Sequence, residues 1–310
     1  MKVTHKRKYN FADKLLSGIT DKIGFIDVGS GGPLKHPWDI IPENRLEKFC
    51  IEPTEDVDEL PLCISNRSGR APFHIAHDER GSSLHAPSME FVSRYDKQSL
   101  LTKKTIEVAL STLDEQFVGK YQLIDLIDIN TEGHDYQVLE GSESLLQTGF
   151  VKLVKVEFEL TKVWEGQGWF SDIDRFMRQR NYDLAKMELD YQKPKHVSQI
   201  VHSGEPLWGK AYYVPASKVW SDFLQKEQGK ERALSAVYKA IVLCTITEIP
   251  GRAADVLELA QSSGLITSVQ AREINMQIKS TLKFLILGEA RRDLIKCIKM
   301  PFRIWKYLTI

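Results

Sequence analysis

The feature that most constrains the fold is a series of short apolar segments spaced through the first two thirds of the chain. Candidate strands fall at Gly24–Val28, Phe49–Ile51, Leu62–Ser65, Phe73–Ala76, Ile106–Leu110, Leu123–Asn130, Leu153–Phe158, Tyr182–Met187 and Ala211–Val214. Several are nearly unbroken in apolar residues, as expected of parallel strands whose two faces are both covered by helices. Amphipathic or loop segments separate them, which predicts an α/β fold with a mainly parallel sheet flanked by helices. Two of those helices are expected at Tyr136–Leu146 and Asp172–Arg180, the second capped by Ser171.

After Ser217 the pattern changes. Helical periodicity is expected over Asp222–Leu243, Arg252–Ser262, Ser268–Leu285 and Glu289–Met300, punctuated by Pro250-Gly251 and Gly264 and interrupted by Pro301. The chain therefore divides into a basic or helical lead (1–22), an α/β domain (23–217) and an all-helical C-terminal module (218–310). Forty-two basic residues balance forty-two acidic ones, so wholesale electrostatic binding of nucleic acid is not expected. Cys50, Cys63, Cys244 and Cys297 form no C-x-x-C pair and read as reduced, mostly buried thiols of a cytoplasmic protein. No apolar run of roughly 7–15 residues of the signal-peptide kind follows the basic stretch MKVTHKRKYN and no run of ~20 apolar residues occurs, so the chain is expected to stay inside the cell. From Lys283 to Ile310, seven Lys or Arg residues are interleaved with Leu294, Ile295, Ile298, Phe302, Trp305 and Leu308. Such a segment suits peripheral contact with the inner face of a membrane, or a helix packed on its own domain or on a homodimer partner.

Chemistry enters at Gly24-Phe-Ile-Asp-Val-Gly-Ser-Gly-Gly32, a buried strand running into glycines. Gly29, Ser30 and Gly31 would let a nucleotide-like ligand approach the backbone at the carboxyl edge of a first parallel strand. A dinucleotide motif would need a third glycine at position 34, which is Leu34, and Pro33 spoils direct passage into a helix whose N-terminus could hold a diphosphate. Asp27 suits a cationic ligand, such as the ammonium of S-adenosylmethionine. Glu52, at the end of the second strand, suits a ribose. The strand ending at Asn130 leads into Thr131-Glu-Gly-His-Asp135. Asn130, Glu132, His134 and Asp135 thus crowd the same sheet edge and suit a substrate hydroxyl and its proton, or else cap the next helix.

These segments together resemble the FkbM family of S-adenosylmethionine-dependent methyltransferases, which have the class I Rossmann-like fold. The similarity rests on Phe25–Gly32, Ile51-Glu-Pro53, Ile64-Ser-Asn66, Gly81–Leu84, Ser111–Asp114, Glu132–Asp135 with Val138–Gly141, and Val156–Glu159. Val163–Phe170 and Leu207–Val214 extend it, so that it spans roughly Ile23–Pro215. The resemblance implies methyl transfer to a hydroxyl of a sugar, glycan or natural product. It makes His134 the first choice of base, with Glu132 orienting it or acting itself, beside Asn130. It also implies that Ser65, Asn66 or Ser82 line the adenine end. Two departures stand out. The family's usual lysine and aspartate in the fourth-strand signature are here Asp128 and Asn130, and the stretch after Glu52 is too short for a crossover helix. Asp128, Asn130, Glu132 and Asp135 are oxygen donors of the kind a divalent metal accepts, at an undiagnostic spacing. His74, His77 and His85 lack a fourth zinc ligand. Trp164, Trp169 and Phe170 would stack on a sugar or pack a loop. The competing functions are a non-catalytic nucleoside-binding protein and, less favoured, an NAD-dependent oxidoreductase.

Overall fold

The computed structural model describes residues 15–29, 34–53, 61–121, 124–148, 150–197, 204–227 and 229–305, with backbone alone at 148, 286 and 288–305. Six strands make the central sheet: β1 (Ile23–Val28), β2 (Leu46–Ile51), β6 (Leu126–Ile129), β7 (Leu153–Glu159), β8 (Tyr182–Gln192) and β9 (Glu205–Pro215). Their order is β2-β1-β6-β7-β9-β8. The β2–β1, β1–β6 and β6–β7 pairs are parallel, whereas β9 runs antiparallel between β7 and β8. The sheet is mostly parallel, as expected.

Three expected strands form something not foreseen. β3 (Leu62–Ile64), β4 (Gly69–Ala76) and β5 (Thr102–Ser111) make a separate sheet in the order β3-β5-β4. Alternation along β4 and β5 explains the departure. Only Phe73, Ala76, Val108 and Leu110 among their apolar side chains are buried, so the sheet has one covered face instead of two.

Nine helices lie among the described residues: α1 (Met89–Tyr95), α2 (Leu113–Phe117), α3 (Asp135–Glu140), α4 (Glu143–Thr148), α5 (Phe170–Gln179), α6 (Ser217–Lys226), α7 (Lys230–Ile246), α8 (Pro250–Ser262) and α9 (Ser268–Trp305). Ile26, Val28, Ile127, Ile129, Val154 and Val156 project from one face of the central sheet and pack with Val138 and Leu139 of α3, Leu145 and Leu146 of α4, and Ile173, Phe176 and Met177 of α5. Each such side chain stabilises by ~1.5–3 kcal/mol on full burial, which fixes the strands and hence the tips that follow them.

The expected helix Tyr136–Leu146 is two helices. A side chain on Gly141 would meet the Ser65 carbonyl at 2.1 Å, and the Asp114 carboxylate starts α4 afresh by accepting from the amides of Ser144 (2.9 Å) and Leu145 (2.8 Å). Ser171 is not the cap of α5. That helix begins at Phe170, and the Asp172 carboxylate accepts from the Trp169 amide at 3.2 Å. Asp222–Leu243 is likewise divided, α7 starting after Gly229, while α9 is continuous through Pro301. Proline there removes one rung of the helical ladder and the remaining rungs span it.

The chain clusters into two compact units. One comprises Asp21–Leu34 and Glu43–Phe223; the other comprises the described parts of Met1–Thr20, Lys35–Pro42 and Leu224–Ile310. Within the second, α7 is buried along nearly its whole length from Ala233 to Ile246, in keeping with a mostly apolar sequence, and the burial takes in Ser235, Lys239 and Thr245 as well.

Candidate active site

The carboxyl ends of β1, β2 and β6 meet at Gly29. Its amide donates to the Ile51 carbonyl at 3.1 Å, and the Asn130 amide donates to the Val28 carbonyl at 2.9 Å. Gly29 is left-handed at φ +81°, and a Cβ there would lie 2.1 Å from the Asn130 carbonyl. Only glycine fits this close approach. Next to it the Asn130 side-chain oxygen is buried without a hydrogen-bond partner among the described residues. A buried acceptor left open in this way calls for an explanation, and a bound polar group is one. Ser30 and Gly31 lie outside the described residues.

Asp27 is on the face of β1 opposite the Ile26–Val28 side chains, in register with Cys50 on one side and Asp128 on the other. It is buried and paired with Lys48 at 3.0 Å. Asp128 is in turn held by Lys155 of β7, whose ammonium donates to both carboxylate oxygens at 3.0 and 2.8 Å. The negative charge at Asp128, one of the two departures from the family's usual residues, is therefore balanced across the sheet. Neither lysine is suggested by local sequence, since strand register alone brings each to its acid. Glu52 is half-buried just past β2. Its charge and, above all, burial push the Cys63 thiol up to about 12.

The turn after β6 is a built structure. Glu132 and Gly133 are both left-handed, at φ +55° and +89°. The buried Asp135 carboxylate closes the turn by accepting from the amides of Thr131 (2.9 Å) and Gly133 (3.1 Å). Asp135 thus staples the turn that presents Glu132 and His134. Burial outweighs those amide bonds and raises its carboxyl to about 6. On the adjoining strand Glu157 and Glu159 stand well above the usual carboxylate range, first through burial and then through Glu132 and Asp135, with Glu157 adding to the effect on Glu159. Among the described residues no group of three or more His, Cys, Asp or Glu side chains is arranged to hold a metal ion.

His134 is buried, and both ring nitrogens are engaged: Nδ1 lies 3.0 Å from His85 Nε2, and Nε2 lies 3.0 Å from Ser65 Oγ. The ring is therefore held by Ser65 and His85, and Glu132 is not what orients it. Burial, then His85 and Arg67, lower its pKa to about 3, and burial also lowers that of His85. His85 is the residue that sequence reasoning missed in this role; it drew notice only as a zinc candidate. Asn66 donates to Glu140 at 2.9 Å, and Ser82 accepts from the Ala76 amide at 3.1 Å. The expected adenine-side residues thus divide: Ser65 joins His134, Asn66 ties to α3, and Ser82 shapes the β4 end.

Of the two alternatives for the aromatic residues, packing holds at two positions. Trp164 is fully buried, and Gly133 exists where a Cβ would sit 2.3 Å from its ring. Phe170 packs on Phe158 at 4.6 Å between ring centroids. Trp169 alone of the three is exposed.

Comparison with known proteins supports what the geometry suggests. Residues 32–184 match the family model of the methyltransferase FkbM domain, a span that takes in the β6 turn, the two histidines and β7. Neither curated proteins nor solved structures gave a match. The match starts at the last glycine of the turn and ends within β8, so β1 and β9 of the same sheet lie outside it. Residues 32–184 are thereby an FkbM methyltransferase domain.

Proposed function

We propose that the protein transfers the methyl group of S-adenosylmethionine to a hydroxyl oxygen of a small molecule: a sugar, a glycan or a natural product. The observation that carries this reading is the junction of the β1 and β6 tips, where Gly29 packs against the Asn130 backbone and Asn130 keeps a buried amide oxygen without a partner among the described residues. Such an acceptor suits a ligand N–H, and an ammonium most of all. When bound, the donor supplies an electrophilic methyl on a sulfonium. Asn130, Asp27 and Gly29 would hold its methionine part and Glu52 its ribose hydroxyls.

The remaining chemistry belongs to the turn after β6. An acceptor oxygen forms the new O–C bond while the sulfur keeps the electron pair of the S–C bond, and the hydroxyl proton leaves to a base. Most of the acceleration would come from alignment. His134 with its low pKa is a weak base, well below the optimum for neutral solution. A protonated ether is a far stronger acid than imidazolium, however, so the proton still moves downhill once methyl has transferred. Glu132, in its strained backbone conformation, is the second candidate.

Calorimetry with S-adenosylhomocysteine tests the donor assignment. Binding is expected, weakened about tenfold or more in Asn130→Ala and Glu52→Ala, as loss of a charge-assisted hydrogen bond implies. No binding by the wild type sinks the proposal. Engagement of both His134 nitrogens favours a second reading, a nucleoside-binding protein without turnover. Labelled methyl transfer over a panel of hydroxylated acceptors separates the two. An NAD-dependent reaction finds no support, because no helix begins in residues 34–37 to receive a diphosphate.

The same proposal places the protein in a reducing, cytoplasmic setting, supported by the buried thiols Cys63 and Cys244. It treats 23–217 as the catalytic domain and 218–310 as a helical module. Among the described residues no helix is long and apolar enough to cross a membrane. The side chains of the basic stretch after Gly288 lie outside those described. Its proposed surface contact is tested by liposome flotation of the full chain, and homodimerisation by its mass in solution.

A further inference from the structure

We propose that the cavity beside the His85 segment is an acceptor subsite for an uncharged, polyhydroxylated ring, the sugar residue next to the one that carries the reacting hydroxyl. The inference rests on the methyl-transfer reading above and names the chemistry of its acceptor. The cavity measures about 690 Å³, within the range of roughly 300–1,000 Å³ usual for small-molecule sites. Three segments enclose it: the turn into α1, the start of β5 and the loop after β7. Hydrogen bonds stitch these segments to the turn of His134. The His85 amide donates to Ser83 Oγ at 3.0 Å, and that hydroxyl donates to the Glu132 carbonyl at 2.7 Å. The Glu165 amide donates to the Ala86 carbonyl, and the Ser88 amide to the Val163 carbonyl, both at 2.8 Å. Ala86, on the cavity wall, directly follows the histidine whose ring lies 3.0 Å from His134.

Ser88 supplies the observation that points to a ligand. It is 3% exposed and sits at the N-cap of α1, where a serine hydroxyl ordinarily accepts from an amide of the first turn. Here it makes no such bond, and no other partner for it lies among the described residues. A buried hydroxyl that caps nothing and lines a cavity is open to a bound group. Thr102 adds a second hydroxyl, 3.4 Å from His74 Nδ1, and Glu165 a carboxylate that can accept from ligand hydroxyls. Beside these polar groups stand Ala86, Pro87 and Leu101, an apolar surface for the C–H face of a ring. Charge selects against anions. Glu90 and Glu165 both line the cavity, and the ammonium of Lys162 is already paired with Glu165 at 2.6 Å. A uronate would meet two carboxylates and no uncommitted cation among the lining residues.

Saturation-transfer NMR of the full chain tests this with the methyl glycosides of glucose, galactose, mannose, xylose and rhamnose, set against glucuronate and galacturonate. At least one neutral glycoside should receive saturation, and the two anions should not. Ser88→Ala should weaken that glycoside about twofold to tenfold, as loss of one neutral hydrogen bond implies. Its thermal midpoint should equal that of the wild type, because the hydroxyl caps nothing. In labelled methyl transfer the same variant should raise the acceptor KM by the same factor with kcat intact. Silence from every neutral glycoside overturns the inference, and so does an equal response from the anions. An unaltered affinity in Ser88→Ala, or a lowered midpoint that marks the hydroxyl as structural, also overturns it. Binding of S-adenosylhomocysteine without any glycoside defeats this subsite alone. Binding of a glycoside without S-adenosylhomocysteine defeats the methyl-transfer reading, and with it the acceptor role of the cavity.

Discussion

Gly29 shows how much a single position controls. Alanine there would carry both a left-handed backbone and a carbon 2.1 Å from the Asn130 carbonyl. The backbone term alone costs ~1–2 kcal/mol, and the contact forces the β1 and β6 tips apart. Gly29→Ala is therefore expected to lower stability by about 2 kcal/mol or more in urea titration and to abolish binding of S-adenosylhomocysteine by calorimetry. His134 contributes one side of the acid response. The unfolded chain takes up a proton on this ring near ~6.5, whereas the folded chain resists until about 3. Its contribution to stability is full above the unfolded pKa and is lost as pH falls through the interval. Asp135 acts oppositely: raised to about 6, its carboxyl favours folding at acid pH and loses that effect as pH rises through 6. Between about pH 6 and 4 the unfolded chain gains a proton at His134 while the folded chain gains one at Asp135, so these two slopes offset, and the raised Glu157 and Glu159 add to the Asp135 side. His134→Gln removes the opposing group and should make stability rise more steeply as pH falls from about 6 toward 4 in thermal scans. The sequence marked His134 by its chemistry. It could not mark His85 as its partner, because 49 residues separate them and three stitched loops bring them together.

At the scale of elements, charge is settled between strands. Asp128 of β6 and Lys155 of β7 are both nearly buried, and register alone makes them partners. Lys155→Met leaves a buried carboxylate uncompensated and should cost ~3–5 kcal/mol, while adding Asp128→Leu should recover most of it. Denaturation of the two single variants and the double gives the coupling; additive losses would contradict the pairing. The strands themselves were legible, since nine apolar segments correspond to nine observed strands. Their distribution between two sheets was not, because a short apolar run does not state which neighbour it bonds. Helix ends were the least legible. Asp114 starts α4 from thirty residues upstream, a cap that no local pattern announces.

At the scale of the molecule, the two compact units each hold one deeply buried thiol. Cys63 belongs to the unit containing the sheets and Cys244 to the helical one. Burial raises both to about 12, so neither is a nucleophile while its surroundings stay closed. Exposed Cys50 should react at once with a thiol reagent in native buffer. Cys63 and Cys244 should react only through opening of their own units, each with its own dependence on denaturant, read by mass spectrometry. Identical dependences would show that the units open as one. Sequence composition shows the change to helical periodicity after Ser217. It does not show that Lys35–Pro42, lying between β1 and β2, clusters with the helices.

By itself the sequence determined the alternation of strands and helices, the glycine turn and the polar strand tip, because apolar periodicity and backbone permissiveness are local properties. Tertiary structure alone decided which acid meets which lysine, where the second sheet separates, and which partners hold His134. Those outcomes depend on strand register and loop closure between residues far apart in the chain, and no short stretch of sequence contains both sides of such a contact.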